Sequence, residues 1–170
     1  MAATFERHVD VHVPVGEAFE RWWRSFEAGD LSEDVDSVEP AGPQLYRWRA
    51  HIAGIEEEWI AEVTELIPGR RIAWTSRSGA SNAGCVTFHR LGDRHARVML
   101  KLQFDPDGWL ETLGAWIGLV DWRVEAALEA FKLHLESDAA ARSARSRYAR
   151  RYRQPRHGRP DASSSATTGR

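Results

Sequence analysis

A stretch near the C-terminal end of the chain, from Trp109 to Leu135, carries apolar residues at intervals of three and four. This spacing places them on one face of an α-helix. A helix with one apolar face needs a cover, and the apolar face of a sheet provides one. Gly114 and Gly118 leave open whether the stretch is one helix or two. The apolar positions are Trp109, Leu113, Trp116, Ile117, Val120, Val124, Leu128, Phe131 and Leu135.

Most of the chain before this helix alternates between apolar and polar residues, as half-buried strands do. Residues 5–13 form the first such strand, and Gly16 to Phe26 has the spacing of a short amphipathic helix. Short turns such as Pro68-Gly69 join the later strands, which predicts an antiparallel meander. The predicted fold class is therefore α+β, with an antiparallel sheet wrapped around the C-terminal helix. The later strands are predicted near residues 34–40, 45–52, 55–67, 71–77, 83–91 and 96–104.

The composition favours one domain with a substantial core, because 170 residues are too few for two comfortable ones. The single Cys85 excludes an internal disulfide and a cysteine-based zinc cluster. The N-terminus has no apolar run typical of a signal peptide, and no apolar stretch approaches the roughly 20 residues of a membrane span. We therefore predict a cytoplasmic protein without a transmembrane segment.

The charges are distributed unevenly. Residues 138–170 contain nine Arg against two Asp, whereas residues 1–137 carry a net charge of −9. We predict a folded domain over 1–137 and a basic, largely disordered tail over 138–170, with helix extending to about residue 153 as the alternative for its first part. The tail could contact an anionic partner, or it could fold back onto the acidic body. No nucleic-acid module is recognisable, so no specific nucleic acid partner is expected.

The order of strand, short helix, antiparallel strands and long C-terminal helix resembles the helix-grip fold of the START and Bet v 1-like (SRPBCC) superfamily. It is most similar to the bacterial polyketide cyclase/dehydrase branch. The resemblance implies an internal cavity, because the lipid carriers, metabolite binders and polyketide cyclases of the superfamily share one. It carries over no catalytic residue. The residues that carry it are 11–19 (VHVPVGEAF), 58–65 (EWIAEVTE), 68–74 (PGRRIAW), 82–88 (NAGCVTF) and 123–132 (RVEAALEAFK).

Large rings share the strand faces that point toward the C-terminal helix, and they form the predicted ligand site. Such rings suit a planar or lipid-like ligand with few polar groups. The alternative is that they only fill the core, as aromatic stripes usually do. The predicted cavity residues are Trp48, Trp59, Trp74, Phe88, Trp116, Val120 and Val124.

Several polar residues are candidates for sites of chemistry. Glu57 should lie on the face of Trp59, where burial would raise its pKa and suit it to acid–base work, unless the nearby turn leaves it solvated. His8 and His12 share a strand face but stand about 13 Å apart, too far for one metal ion. Arg123 lies beside the apolar stripe of the helix. It could form an ion pair at the edge of the stripe, or it could bind the head group of a ligand. We predict no metal, no cofactor and no catalytic group for this chain.

Two functions follow as hypotheses. The first is binding of a small hydrophobic or aromatic ligand, lipid-like or polyketide-like, in an internal cavity. The second is a cyclase- or dehydrase-like enzyme that confines a reactive chain, with Glu57 or Arg123 as its ionisable group. If the helix is split, Trp109 to Gly118 would be a movable lead-in to a gripped helix at Val120 to Leu135.

Overall fold

A computed structural model of the protein describes residues 3–52, 54–79, 81–104 and 113–151, without the side chains of residues 3, 52, 55, 104 and 113–120. These ranges contain seven strands and two helices. In chain order they are β1 (Ala3–Val11), α1 (Val15–Ala28), β2 (Val35–Gly42), β3 (Leu45–Ile52), β4 (Ile55–Ile67), β5 (Arg71–Gly79), β6 (Asn82–Gly92), β7 (His95–Phe104) and α2 (Leu113–Arg151).

The seven strands form one antiparallel sheet in the order β1-β7-β6-β5-β4-β3-β2. Strands β2 to β7 each pair with their neighbours in sequence, as short turns require. Only β1 pairs out of order, with β7, so β1 and β2 are the two edges of the sheet. The predicted α+β class, with an antiparallel sheet and a long C-terminal helix, is confirmed.

Helix α1 connects the two edge strands and contacts β2, β6 and β7. It begins directly after Pro14 and ends at Gly29, whose positive φ of 72° allows its N–H to bond back to the carbonyl of Phe26. The predicted apolar face is buried, with Phe19, Trp22 and Phe26 in the core. Helix α1 therefore links the two edge strands along the chain and covers part of the sheet.

Helix α2 is continuous from Leu113 to Arg151, so the structure shows one helix rather than two over this range. Its buried residues continue the predicted stripe by one further position, to Ala139. The helix also extends past residue 137, the predicted end of the folded domain. A helix in this region is the alternative that the sequence offered for the first part of the tail. Residues 109–112 lie outside the described part of the chain. The buried positions are Val124, Leu128, Phe131, Leu135 and Ala139.

Two ion pairs hold α2 to opposite edges of the sheet. Arg7 of β1 binds Asp121, and Arg123 binds Asp34, which directly precedes β2. Because the four side chains are between 28% and 41% exposed, each pair contributes only about 0–1 kcal/mol. They connect α2 to β1 on one side and to the residue before β2 on the other.

Candidate ligand-binding site

The first group of rings lies on β3, β4 and α1. Trp48 and Trp59 face each other across the two strands, with parallel rings whose centroids are 5.7 Å apart. Phe26 of α1 packs against Trp48 at 5.1 Å in an edge-to-face arrangement. Trp48 is buried, whereas Trp59 is half-buried. The stack therefore has its inner ring in the core and its outer ring partly free to meet another molecule.

The second group of rings surrounds Phe88 of β6. Phe19 and Trp22 of α1 approach its ring edge-on, and Trp22 also contacts Phe131 of α2. Phe88 is only 5% exposed. Its ring thus packs between the sheet and α1, which is the core-filling alternative raised for the predicted set.

Trp74 and Val124 complete the described members of the predicted site. Trp74 is half-buried and packs against the core cluster, to which Val124 of α2 belongs. The indole of Trp74 lies over Gly84, its partner on β6, where a side chain would collide with it. The structure therefore places Trp48, Trp59, Trp74, Phe88 and Val124 in or against one cluster. The side chains of Trp116 and Val120 lie outside the described part.

Glu57 lies on the same concave face as the stacked rings. It faces Ala50 on β3, and Ala50 is only 2% exposed. Glu57 is half-buried as a residue, and burial raises the pKa of its carboxyl group above the ordinary value. Of the two alternatives for this residue, the structure favours the partly desolvated one over the solvated edge.

The indole N–H of Trp48 is a feature that sequence reasoning missed. Its Nε1 atom is buried and has no hydrogen-bond partner among the described residues. Leaving a buried donor unpaired costs about 1–3 kcal/mol, so native structures rarely do so without a reason. The strand pattern predicted a buried ring at this position, but it contains no information on where the N–H points.

Arg123 is engaged in the ion pair with Asp34, which is the boundary pair that the sequence offered as one alternative. Arg7 is the charged residue that sequence reasoning overlooked. It shares a strand face with Val9 and Val11, and the alternation of β1 alone would have placed it toward the helix. Both arginines are therefore paired with protein carboxylates.

The polar face of β1 is used for contacts within the protein. Arg97 of β7 donates two hydrogen bonds to Asp10, at 2.7 and 2.9 Å, and these bonds hold the pKa of Asp10 below its ordinary value. Glu136 of α2 accepts a hydrogen bond from the His12 backbone at 2.8 Å and contacts the His12 ring. In the described ranges, no three metal-ligating side chains are grouped as a metal site would require.

The described part of the basic segment touches the acidic body. Arg142 pairs with Glu17 in the first turn of α1, and Asp138 lies 3.1 Å from Arg21 of the same helix. These contacts agree with the alternative in which the basic segment packs onto the body. Residues 152–170 lie outside the described part, so the predicted disorder there stays a prediction. No described helix has the length and apolar character needed to cross a membrane.

A single antiparallel sheet that holds a long C-terminal helix against its concave face defines a helix-grip protein. Comparison with protein families agrees with this class. Residues 11–132 match the family described as polyketide cyclase / dehydrase and lipid transport. The match covers well over half of the chain, so the protein belongs to this family, within the START and Bet v 1-like superfamily. The resemblance predicted from the sequence is thus confirmed.

Individual relatives extend the comparison. The chain is 38% identical over 132 residues to a 17.2 kDa protein from the melC2-rnhH intergenic region of Streptomyces lincolnensis, a match that covers 77% of this chain and 88% of the relative. The ZhuI aromatase/cyclase of Streptomyces sp. R1128 superposes with a TM-score of 0.63 at 19% identity, over 80% and 94% of the two chains. A START superfamily protein from Mycobacterium smegmatis gives 0.61 at 16% identity, over 79% and 95%. At these identities the solved structures support the fold alone.

Proposed function

We propose that this protein binds a small hydrophobic ligand with a planar or extended apolar body, lipid-like or polyketide-like, between the concave face of the sheet and α2. The observation that carries the proposal is the half-buried state of Trp59 and Trp74, both on this face and both backed by the buried core. Rings in such positions offer apolar area at little cost in conformational entropy. Family membership supports the same class of ligand, since the family is described by polyketide and lipid substrates.

The proposed ligand wall consists of Trp59, Trp74 and Val124, with Trp48 behind Trp59. Val120 and Trp116 remain proposed members, because α2 carries Val120 about one turn and Trp116 about two turns before Val124. Phe88 supports the wall from within the core. A cytoplasmic location and a role of the basic tail toward an anionic partner stay predictions from the sequence.

Binding of a planar fluorescent probe, 1-aminoanthracene, tests this proposal. We expect wild-type protein to enhance its fluorescence saturably, and native mass spectrometry to show one bound molecule per chain. Trp59→Ala should weaken binding about 10-fold, because stacking and apolar area are both lost. The matched control is Trp122→Ala, since Trp122 is 63% exposed on α2. Equal effects of the two substitutions, with both variants folded by circular dichroism, would contradict the proposed position.

A second candidate function is a cyclase- or dehydrase-like enzyme, which the raised pKa of the half-buried Glu57 favours. Burial raises the pKa of this carboxyl group, which makes it a better general acid than an ordinary glutamate. Incubation with a synthetic poly-β-keto thioester, followed by mass spectrometry of the products, tests this function. We expect accelerated or redirected cyclisation by wild-type protein and its loss in Glu57→Gln. Product profiles identical to those of buffer would exclude this reaction on that substrate.

A further inference from the structure

The last part of α2 extends away from the folded body as an exposed and strongly basic helix. Ala139 is the last buried residue of α2, and every residue from 140 to 151 is exposed except the half-buried Ser143. At 1.5 Å per residue this part of the helix spans about 18 Å. It contains no acidic residue. We call residues 140–151 the basic helix, and its arginines are Arg142, Arg145, Arg147, Arg150 and Arg151.

Most of this positive charge is not neutralised within the protein. Arg142 is paired with Glu17 of α1, whereas the arginines that follow it form no ion pair within the part of the chain that the structure describes. Asp138, the last acidic residue before the basic helix, is engaged as well, since it lies 3.1 Å from Arg21. The basic helix therefore offers four unpaired arginines to a partner.

The fold adds one more cation at the base of the basic helix. Arg94, in the turn between β6 and β7, lines an open cleft of about 220 Å³ together with Arg142. Arg94 is exposed and has no ion pair to a described residue. Serine hydroxyl groups, which can donate hydrogen bonds to phosphate oxygens, line the same cleft. The positive surface thus continues from the helix onto the body. The other lining residues are Glu17, Ala139, Ser143 and Ser146.

The arginines surround the basic helix instead of occupying one face. Successive residues are about 100° apart around an α-helix, so the five side chains leave no gap wider than about 120°. A flat partner, such as a membrane or the acidic face of a protein, contacts only one side of a helix. Membrane binding also requires large apolar side chains, and apart from arginine and serine the basic helix contains only four alanines and Tyr148. The arrangement therefore favours a partner with negative charge on two sides of the helix.

The major groove of B-form DNA provides such an environment. The groove is about 12 Å wide, and it admits an α-helix of about 10–12 Å diameter between two walls that carry phosphate groups. The length of the basic helix corresponds to about five base pairs at about 3.4 Å each. The major groove of double-stranded RNA is too narrow for the same contact.

We infer that the basic helix binds in the major groove of double-stranded DNA, where its four unpaired arginines contact phosphate groups on both walls and Arg94 contacts a phosphate at the rim. Contacts to phosphate groups carry no sequence information, so this binding is independent of base sequence. The basic helix contains none of the residues of the proposed ligand wall. DNA binding and ligand binding are therefore separate properties of the protein.

Fluorescence anisotropy of a labelled DNA duplex of about 20 base pairs, titrated with the full chain at several salt concentrations, tests the inference. We expect a Kd of roughly 1–100 μM at physiological salt. Replacing the four unpaired arginines by glutamine should weaken binding at least about 30-fold. It should also lower the slope of log affinity against log salt by about 3–4, since each phosphate contact contributes about 0.9. The substitutions are Arg145→Gln, Arg147→Gln, Arg150→Gln and Arg151→Gln.

The matched control removes the same charge from the sequence that follows the basic helix. We expect this second set of substitutions to weaken binding by less than about 5-fold, because the helix that fits the groove is intact. Equal losses in the two variants would show that the overall charge of the segment binds DNA, and they would overturn the inference. The control substitutions are Arg153→Gln, Arg156→Gln, Arg159→Gln and Arg170→Gln.

Two further variants test the geometry of the contact. Ala144→Pro keeps every charge but breaks the basic helix, so it should weaken DNA binding about 10-fold. Its melting temperature should stay close to that of wild type, because Ala144 lies beyond the last buried residue of α2. Arg94→Gln should lower the salt slope by about one. Unchanged affinity in Ala144→Pro would contradict binding in the groove, and an unchanged slope in Arg94→Gln would remove Arg94 from the surface.

Other anionic partners serve as comparisons at the same salt concentration. An RNA duplex of the same sequence should bind at least about 5-fold more weakly than the DNA duplex, because its major groove excludes the helix. Vesicles of phosphatidylserine and phosphatidylcholine should sediment less protein than an equal concentration of DNA phosphate binds. Tighter binding to either comparison partner, or no binding to DNA, would overturn the inference and leave the proposed ligand-binding function unaffected.

Discussion

The indole ring of Trp74 lies directly over the backbone of Gly84, its partner on the adjacent strand. A Cβ atom at Gly84 would come within 2.5 Å of Trp74 Cζ2 and within 2.9 Å of both a Leu102 methyl and the Lys101 carbonyl oxygen. The glycine is therefore required by close packing of a ring that we propose contacts the ligand. The packing that stabilises the sheet at Gly84 therefore also holds the Trp74 ring in its position in the proposed site.

Substitution of Gly84 should disturb both stability and the ring. We expect Gly84→Ala to lower the free energy of unfolding by about 1–3 kcal/mol, because the backbone oxygen of Lys101 cannot move aside as a flexible side chain can. Urea unfolding measures the loss, and the tryptophan emission maximum reports the displaced ring. Gly16→Ala is the control, since nothing lies within 4 Å of its added methyl group. Equal stability of the two variants would contradict the close packing.

The apolar stripe of α2 predicts that shortening a side chain at its centre greatly lowers the stability of the protein. Leu128 is 2% exposed, so Leu128→Ala should cost about 2–5 kcal/mol through lost transfer energy and the cavity left behind. Leu133, on the same helix and 63% exposed, is the matched control, and Leu133→Ala should change stability by about 0.5 kcal/mol or less. Thermal or urea denaturation of both variants measures the two losses of stability. Similar losses at both positions would mean that α2 is not held by this face.

Glu57 makes stability depend on pH in an uncommon direction. Because burial raises its pKa, the folded state binds this proton more tightly than the unfolded chain does, and stability falls as the pH rises through the raised pKa. We therefore expect Glu57→Gln to melt at a higher temperature than wild type at pH 7. The difference should disappear below the ordinary value of 4.5. Glu56→Gln should show no such trend, and a pH-independent difference for Glu57→Gln would refute the assignment.

Asp10 should show the opposite dependence. The hydrogen bonds from Arg97 lower its pKa, so the stabilisation they provide is present above the ordinary value of 3.8 and is lost as the pH falls through the lowered pKa. Titration of Asp10 by NMR should give a pKa closer to the ordinary value in Arg97→Gln. Arg94→Gln, on the exposed turn before β7, should leave the Asp10 titration unchanged. An unaltered pKa in Arg97→Gln would show that the pair does not persist in solution.

Two shortened chains locate the end of the folded domain. A chain ending at Arg151 should melt like the full chain, since it keeps all of α2. A chain ending at Ser137 loses the buried Ala139 and the contacts of Asp138 and Arg142 with α1, and we expect it to be less stable by about 1–2 kcal/mol. Equal melting temperatures for the two shortened chains would instead support the boundary predicted after residue 137.

The periodicity of the sequence was enough to predict the α+β class, the antiparallel sheet and the buried face of α2. Val124, Leu128, Phe131 and Leu135 are buried as their spacing indicated, because a helix buries whichever face its sequence makes apolar. Alternation likewise placed Trp48, Trp59 and Trp74 on the inner face of their strands. These features depend on neighbours in sequence, and they can be predicted without tertiary contacts.

Tertiary structure alone decided which rings are free and which are covered. Phe88 and Trp59 follow the same alternation, but α1 packs Phe19 and Trp22 onto Phe88 and leaves Trp59 partly exposed. The partners of Arg7 and Arg123 and the unpaired N–H of Trp48 depend on residues distant in sequence. Local periodicity determines the face on which a side chain lies, whereas packing of distant elements determines what that side chain meets.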